Sequence, residues 1–148
     1  YLHFRILHKT KMEREKAITE RTVSKPMHIL VVEDNVVNQK VVIRFLTKQG
    51  HSVVIAANGR LALDAFEKEI FDMILMDIQM PEMDGITATR HIRESERKGR
   101  DRTPIIAMTA HAAKSDELAC YAAGMDDFIV KPFKPEKLRL ALARFSST

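Results

Sequence analysis

The sequence predicts an α/β fold built on a doubly wound parallel sheet, and three observations predict it. Short apolar, β-branched runs alternate five times with segments of helical spacing. The runs, such as 73–76 (MILM), are apolar without polar alternation, as strands covered by helices on both faces must be. Gly, Pro and Asn punctuate the boundaries, where turns and caps are needed. Alternating strands and helices joined by right-handed crossovers wind such a sheet.

Taken in order, 28–33 (HILVVE) is the first strand, running into acids. Residues 35–49 read as a helix, with Val37, Val41 and Phe45 four apart, and Gly50 suits its C-terminal cap. The β-branched run 52–56 (SVVIA) is the second strand. Residues 58–70 form the second helix, with Leu63, Phe66 and Ile70 on one face. The third strand is 72–77 (DMILMD) and the third helix 84–96. A fourth strand covers 103–109 (TPIIAMT). Residues 114–123 are helical, with Leu118, Tyr121 and Ala122 on one stripe and Gly124 as the cap. The fifth strand is 127–130, and 135–145 is the last helix, with Leu138, Ala141, Leu142 and Phe145 spaced for burial.

The formal charge of +4 is unevenly spread. Residues 1–27 hold seven Lys/Arg against three Glu, so the whole excess lies there and 28–148 is neutral. A basic excess confined to a leading segment gives no support for a nucleic-acid-binding body, and no nucleic-acid partner is expected. That segment reads as a linker or the tail of a preceding domain, with room for a helix over about 10–22, and Pro26 discourages helix at Lys25 and sets a boundary near there. Residues 28–148 form the domain. The chain does not begin with Met and reads as part of a longer protein. No apolar run approaches the ~20 residues of a membrane span, and no signal-peptide pattern opens the chain. Cys120 is the one cysteine, so no internal disulfide can form. It reads as a small core residue in a reducing, cytoplasmic setting.

In open parallel sheets, ligands bind beyond the carboxyl ends of the strands. Strand one ends in Glu33-Asp34, strand three in Asp77 and strand four in Thr109, and strand five runs directly into Lys131-Pro132. Three carboxylates in one small pocket cannot all ionise without a cation. A hard divalent ion with oxygen ligands resolves the conflict, and Mg²⁺ suits because it takes few carboxylates and keeps waters for a substrate. A carboxylate beside such an ion can attack phosphorus and form an acyl phosphate. Lys131 can stabilise the phosphoryl charge and Thr109 can hydrogen-bond a phosphoryl oxygen. Each element alone reads as a turn or cap. The combination, in this order on five strands, is the specific signal.

Residues 28–145 resemble the receiver domain of response regulators. The resemblance rests on ILVVEDNVVN (29–38), ILMDIQMPEMDG (74–85), PIIAMTA (104–110), AGMDDFIVKPF (123–133) and the closing helix. It implies a five-stranded (βα)5 flavodoxin-like sheet in strand order 2-1-3-4-5. By position, Asp77 would be the phosphoacceptor. Glu33 and Asp34 would form the acidic pair that holds Mg²⁺ with Asp77, directly or through water, and the backbone carbonyl of Gln79 would complete the metal site. Lys131 would bridge to the phosphoryl group, aimed by a cis Lys131-Pro132 bond. Thr109 would move to the phosphoryl group and Phe128 would turn inward as the aromatic switch, here without a hydroxyl. Ala110 is small and should leave the site open, while Gln79 and His111 lie at its mouth. Pro81 and Gly85 bracket the loop after strand three, in which Met80 and Met83 are packing residues. His111 is not read as an acceptor, because the family's accepting histidine lies on a helical bundle. His3, His8, His28, His51 and His91 show no metal-ligand spacing and read as surface or strand-end residues.

The implied function is a phosphoacceptor module of a two-component phosphorelay, with self-catalysed phosphotransfer and slow autodephosphorylation. The implied partner is a histidine kinase dimerisation domain or a histidine phosphotransfer protein, docked on the first helix. Phosphorylation would switch the surface of helix four, strand five and helix five, which is also the expected homodimer surface. The domain itself would make no membrane contact, although its parent, expected to be a hybrid sensor histidine kinase, can be membrane-anchored. Two alternatives remain open at this point. One is an Asp-nucleophile, Mg²⁺-dependent phosphatase. Such enzymes usually carry a second Asp two residues after the nucleophile, where this chain has Gln79. The other is a degenerate receiver that binds without being phosphorylated.

Overall fold

The structure is a computed structural model and describes residues 25–111 and 113–146. The leading-segment expectations, including the helix over 10–22, fall almost wholly outside the described residues. The elements are β1 (His28–Val32), α1 (Val36–Lys48), β2 (Ser52–Ala56), α2 (Gly59–Lys68), β3 (Met73–Asp77), α3 (Gly85–Glu96), β4 (Ile105–Thr109), α4 (Lys114–Ala123), β5 (Asp127–Val130) and α5 (Pro135–Phe145). All strands pair in parallel in the order β2-β1-β3-β4-β5, the flavodoxin-like arrangement expected from the sequence. The register sets Val32 beside Met76 and Asp77 beside Met108, so the tips of β1, β3 and β4 finish along one edge.

The sheet divides the core in two. On one face, Leu30, Val32, Ile74 and Met76 pack against Ala62 and Phe66 of α2, Ala88 and Ile92 of α3, and Cys120 of α4. On the other, Ile29, Val31, Leu75 and Met108 pack against Val42 and Leu46 of α1 and Leu138, Ala141 and Leu142 of α5. Every residue of β3 and β4 is buried, which is why those runs carry no alternation.

Local chemistry fixes the helix ends. Side chains of Asn35, Asn58 and Asp84 accept hydrogen bonds from the N–H groups of Asn38, Leu61 and Thr87 at 3.0, 2.9 and 2.7 Å, closing α1, α2 and α3 at their N-termini. Gly124 ends α4 at φ 107°, a left-handed conformation that an L side chain resists.

Three helix stripes differ from expectation. Val37 and Val41 of α1 are 69% and 51% exposed, and the residues that reach the core are Val42 and Leu46. A four-residue spacing is equally good on adjacent faces of a helix, so it fixed the element and not its rotation. In α4, Leu118 and Tyr121 likewise face outward with Ala122, and Cys120 and Ala123 are buried. Ile70 lies past the end of α2, exposed, while Phe66 is buried and Leu63 packs against the core. His51 is not on the surface: it is buried just before β2, where its Nδ1 accepts the Met27 N–H at 3.0 Å. Burial pulls its pKa down, partly opposed by the Asp72 charge, and so favours the neutral ring that this bond needs. His28 opens β1, stacked on Phe71, and His91 is exposed; His3 and His8 lie outside the described residues.

At the end of the sheet away from the strand tips, one buried guanidinium ties several segments together. Arg93 of α3 donates to the carbonyls of Gly124 and Thr103 at 2.9 and 2.7 Å, to Glu96 at 2.6 Å and to Asp126 at 2.9 Å. Glu96 accepts the Thr103 N–H and Asp126 the Ile105 N–H, so α3, the start of β4 and the turn before β5 form one network.

Candidate active site

Asp77 is the last residue of β3 and is 4% exposed. Glu33 follows β1 directly and is 1% exposed, while Asp34 beside it is open to solvent. Carboxylate oxygens of Glu33, Asp34 and Asp77 lie within 4.8 Å of one another, the one such acidic, histidine or cysteine cluster among the described residues. Lys131, which follows β5, brings Nζ to 2.5 Å from Glu33 Oε2 and 3.0 Å from Asp77 Oδ2. The structure therefore brings the three acids and the amine, from three separate strand ends, into one pocket. The Lys131–Pro132 peptide is cis, as the resemblance implied.

The loops hold these groups in place. Gln79 N–H donates to Asp77 Oδ1 at 3.1 Å, and the Gln79 side chain is exposed. The loop after β3 returns under Gly85, the first residue of α3. A Cβ there would sit 2.8 Å from Ile78 Cα and 2.9 Å from Met76 Cγ, so only glycine lets the helix start so near β3. Met80 and Met83 pack against the core, as expected for that loop. Thr109 is fully buried at the tip of β4. Its hydroxyl accepts the His111 N–H at 3.1 Å, and its carbonyl accepts the Lys131 N–H at 2.6 Å. Ala110 and His111 are exposed at the mouth. Phe128 is half-buried, opposite Ala107 and packed against the core.

The electrostatics follow from this geometry. Burial pushes the Asp77 carboxyl up to about 6; Glu33 adds to the rise, and the Gln79 N–H and Lys131 hold it back. Burial pulls the Lys131 ammonium down, but hydrogen bonds and charge from Glu33 and Asp77 outweigh it and leave its pKa raised. Lys131 is therefore cationic at neutral pH, and its one positive charge faces two buried carboxylates with a third nearby. The remaining deficit and the all-oxygen donor set fit a hard divalent cation.

Two contributors were not recognised in the sequence. Asn38 Nδ2 donates to Glu33 Oε1 at 3.4 Å, and Gln39 Nε2 donates to the Glu33 carbonyl at 2.7 Å. Their spacing, five and six residues past Glu33, was the only available signal, and it gains meaning only once a helix is known to start between them.

Comparison with known proteins places this geometry. The family model described as the response regulator receiver domain matches residues 29–143. The chain is 44% identical over 118 residues to hybrid signal transduction histidine kinase I of Dictyostelium discoideum, covering 76% of this chain and 7% of that protein. It spans a small part of other curated relatives too, 17% and 5% of two further histidine kinases. Among solved structures, it is 43% identical, with a TM-score of 0.74, to the receiver domain of the sensor histidine kinase PA1611 from Pseudomonas aeruginosa. That structure has a magnesium ion coordinated in its active site cleft, and the match covers 82% of this chain and 98% of that one. The receiver domain of Ssk1 from Saccharomyces cerevisiae, crystallised with the histidine phosphotransfer protein Ypd1, is 30% identical with a TM-score of 0.76, covering 81% of this chain and 88% of that one. With its sheet order, its acidic pocket and the matched family model in agreement, the chain belongs to the response regulator receiver domains of two-component signalling.

Proposed function

We propose that Asp77 accepts a phosphoryl group from a phosphohistidine on a partner protein. The observation that carries this reading is the bridging position of Lys131, 3.0 Å from Asp77 and 2.5 Å from Glu33, in a pocket of three carboxylates. An Asp77 oxygen attacks phosphorus in line, the new O–P bond forms as the P–N bond breaks, and the imidazole leaves and takes up a proton. Glu33, Asp34, Asp77 and the Gln79 carbonyl would hold Mg²⁺, which supplies neutralising charge to the phosphoryl oxygens when bound. Lys131 keeps one ammonium charge beside the acceptor and exchanges a carboxylate contact for a phosphoryl oxygen.

The switch follows from the same contacts. The Thr109 hydroxyl exchanges the His111 N–H for the phosphoryl group, trading one hydrogen bond worth about 1 kcal/mol for a charge-assisted one of roughly twice that strength. Phe128, half-buried on β5 beside Ala107, would turn inward as Thr109 moves. Repacking there shifts the population of the surface formed by α4, β5 and α5, which serves output or homodimer contact. Water later hydrolyses the acyl phosphate and resets the domain.

The exposed valines 36, 37 and 41 on α1 support docking of the donor there, beside the pocket. The donor is a histidine kinase dimerisation domain or a histidine phosphotransfer protein, and the parent chain is a hybrid sensor histidine kinase working at the cytoplasmic side. No helix among the described residues is long and apolar enough to cross a membrane. Incubation with acetyl phosphate and Mg²⁺, read by intact mass, tests the proposal. One labile phosphoryl adduct is expected in the natural chain and none in Asp77→Asn. An adduct that survives the substitution, or turnover of a general phosphomonoester, would overturn the reading.

A further inference from the structure

We infer that Phe45 of α1 and Phe133 of the loop after β5 are positioning residues for phosphoryl transfer, their ring contact holding the main chain beside Lys131 so that its ammonium reaches the acceptor. The inference rests on the proposed function above and goes beyond it by giving a role to two side chains that do not touch the reacting groups.

Lys131 leaves the sheet directly after β5. On its N-terminal side it is fixed, because its N–H donates to the Thr109 carbonyl at 2.6 Å. On the other side the chain has few ties. Pro132, Lys134 and Pro135 are exposed, and the two prolines have no N–H to bond. Helix α5 starts at Pro135 behind Lys134, with no side-chain cap. Phe133 alone of 132–135 turns inward, into the core that α1 and α5 share with the sheet. There its ring meets Phe45 edge to face, with centroids 6.0 Å apart and planes at 69°. The Arg139 guanidinium of α5 lies 5.4 Å from the centroid of the Phe45 ring and steadies it further. Phe45 is thus the point of α1 on which the loop after Lys131 rests.

The reach of Lys131 makes that seat matter. Its Nζ stands 2.5 Å from Glu33 and 3.0 Å from Asp77 at once. The sheet order puts β4 between β5 and β3, and β1 one strand further. Neighbouring strands are about 4.8 Å apart, so the lysine works across roughly 10 Å toward β3 and 14 Å toward β1. Even with the acids reaching to meet it, its stem has little slack. If the loop backs away from α1, the ammonium keeps Glu33, the nearer partner, and gives up Asp77. A shift of ~1 Å in a group that stabilises a transition state can cost about 100-fold in rate.

Phosphorylation rates with acetyl phosphate and Mg²⁺, followed by intact mass, test this; so small a donor needs no docking face, so an effect cannot come from lost donor binding on α1. Phe45→Leu, which keeps an apolar side chain but loses the ring, should slow the reaction about tenfold, a partial loosening on the scale above. Phe45→Tyr keeps the ring and should recover most of the rate. The decisive comparison is a double-mutant cycle with Lys131→Ala, or with Lys131→Arg should the first take up no measurable phosphoryl group. If Phe45 acts through Lys131, Phe45→Leu should cost under twofold in that background, because the group it positions is already gone. The same tenfold cost in both backgrounds would mean a structural role and overturn the inference, as would an unslowed Phe45→Leu. Should Phe45→Leu unfold, Phe133→Leu carries the cycle from the other side of the contact. A natural chain that takes no phosphoryl group overturns the proposed function and this inference together, whereas one labelled on Asp77 with no coupling to Lys131 overturns this inference alone.

Discussion

Replacing Asp77 with Asn removes a carboxylate charge that burial disfavours, and the metal-free domain should become more stable for it at neutral pH. Burial raises the Asp77 carboxyl from 3.8 to about 6, so the folded state holds that proton more tightly than the unfolded chain does. Ionised Asp77 therefore costs stability above pH 6 and costs nothing below the unfolded value of 3.8; the penalty grows as pH rises through that window. A shift of about two units at ~1.4 kcal/mol each sets an upper bound of about 3 kcal/mol. Asn keeps an oxygen for the Gln79 N–H, the ion pair with Lys131 is already contained in the net shift, and solvent screening at the pocket mouth reduces the gain to about 2 kcal/mol. For a domain of this size that is a rise in Tm of roughly 8 °C. Thermal unfolding with chelator at pH 7.5 and pH 4 measures it, since the gap between the two proteins should close on acidification. Added Mg²⁺ should then raise the natural chain's Tm at pH 7.5 more than the variant's, because binding to the folded state stabilises it. An Asn variant no more stable than the natural chain at pH 7.5, or a gap that does not change with pH, would refute the assignment of a buried, cation-hungry carboxylate.

Other substitutions probe other parts of the account. Arg93→Ala strips the counter-charge from Glu96 and leaves Asp126 with Arg102 alone, and should cost about 3–5 kcal/mol in urea unfolding at pH 7; under 1 kcal/mol would mean the network is solvated. Gly85→Ala forces a methyl against Ile78 Cα and Met76 Cγ, and should cost about 1–3 kcal/mol while slowing phosphorylation by acetyl phosphate; a neutral result would show that α3 can back away freely. Thr109→Val keeps the shape and removes the acceptor for the His111 N–H, at about 1 kcal/mol. It should still be phosphorylated, yet lose the phosphorylation-linked NMR shifts around Phe128; if those shifts persist, the hydroxyl is not the trigger.

The sheet and the pocket were legible because their signals are local. A run such as MILMD, apolar throughout and ended by an acid, has few readings other than a covered strand with its carboxylate at the tip. Strand tips in a parallel sheet share one edge, so naming the strand ends also named Glu33, Asp34, Asp77, Thr109 and Lys131 as neighbours. Rotation of the helices was not legible. Val37 and Val41 have the hydrophobicity of core residues, and the stripe through Val41 and Phe45 runs one position before Val42 and Leu46, which the core actually takes. Exposed valine is tolerated by a helix at small cost, so the pattern carries no penalty that would expose the wrong choice. The burial of Arg93 and His51 was hidden for another reason. Each is held by backbone groups distant in the chain, Gly124 and Thr103 for one and Met27 for the other, and such partners are defined only after folding. Asn38 and Gln39 escaped notice likewise, since their target is the main chain and side chain of a residue before the helix they stand on.

The central claim concerns where the phosphoryl group goes. The chain would be phosphorylated by a phosphohistidine donor in Mg²⁺, reduced with borohydride to convert an aspartyl phosphate to homoserine, and mapped by peptide mass spectrometry. Homoserine at position 77 and nowhere else is the predicted result. A phosphoryl group recovered on His111 or another residue, with Asp77 unchanged, would contradict it.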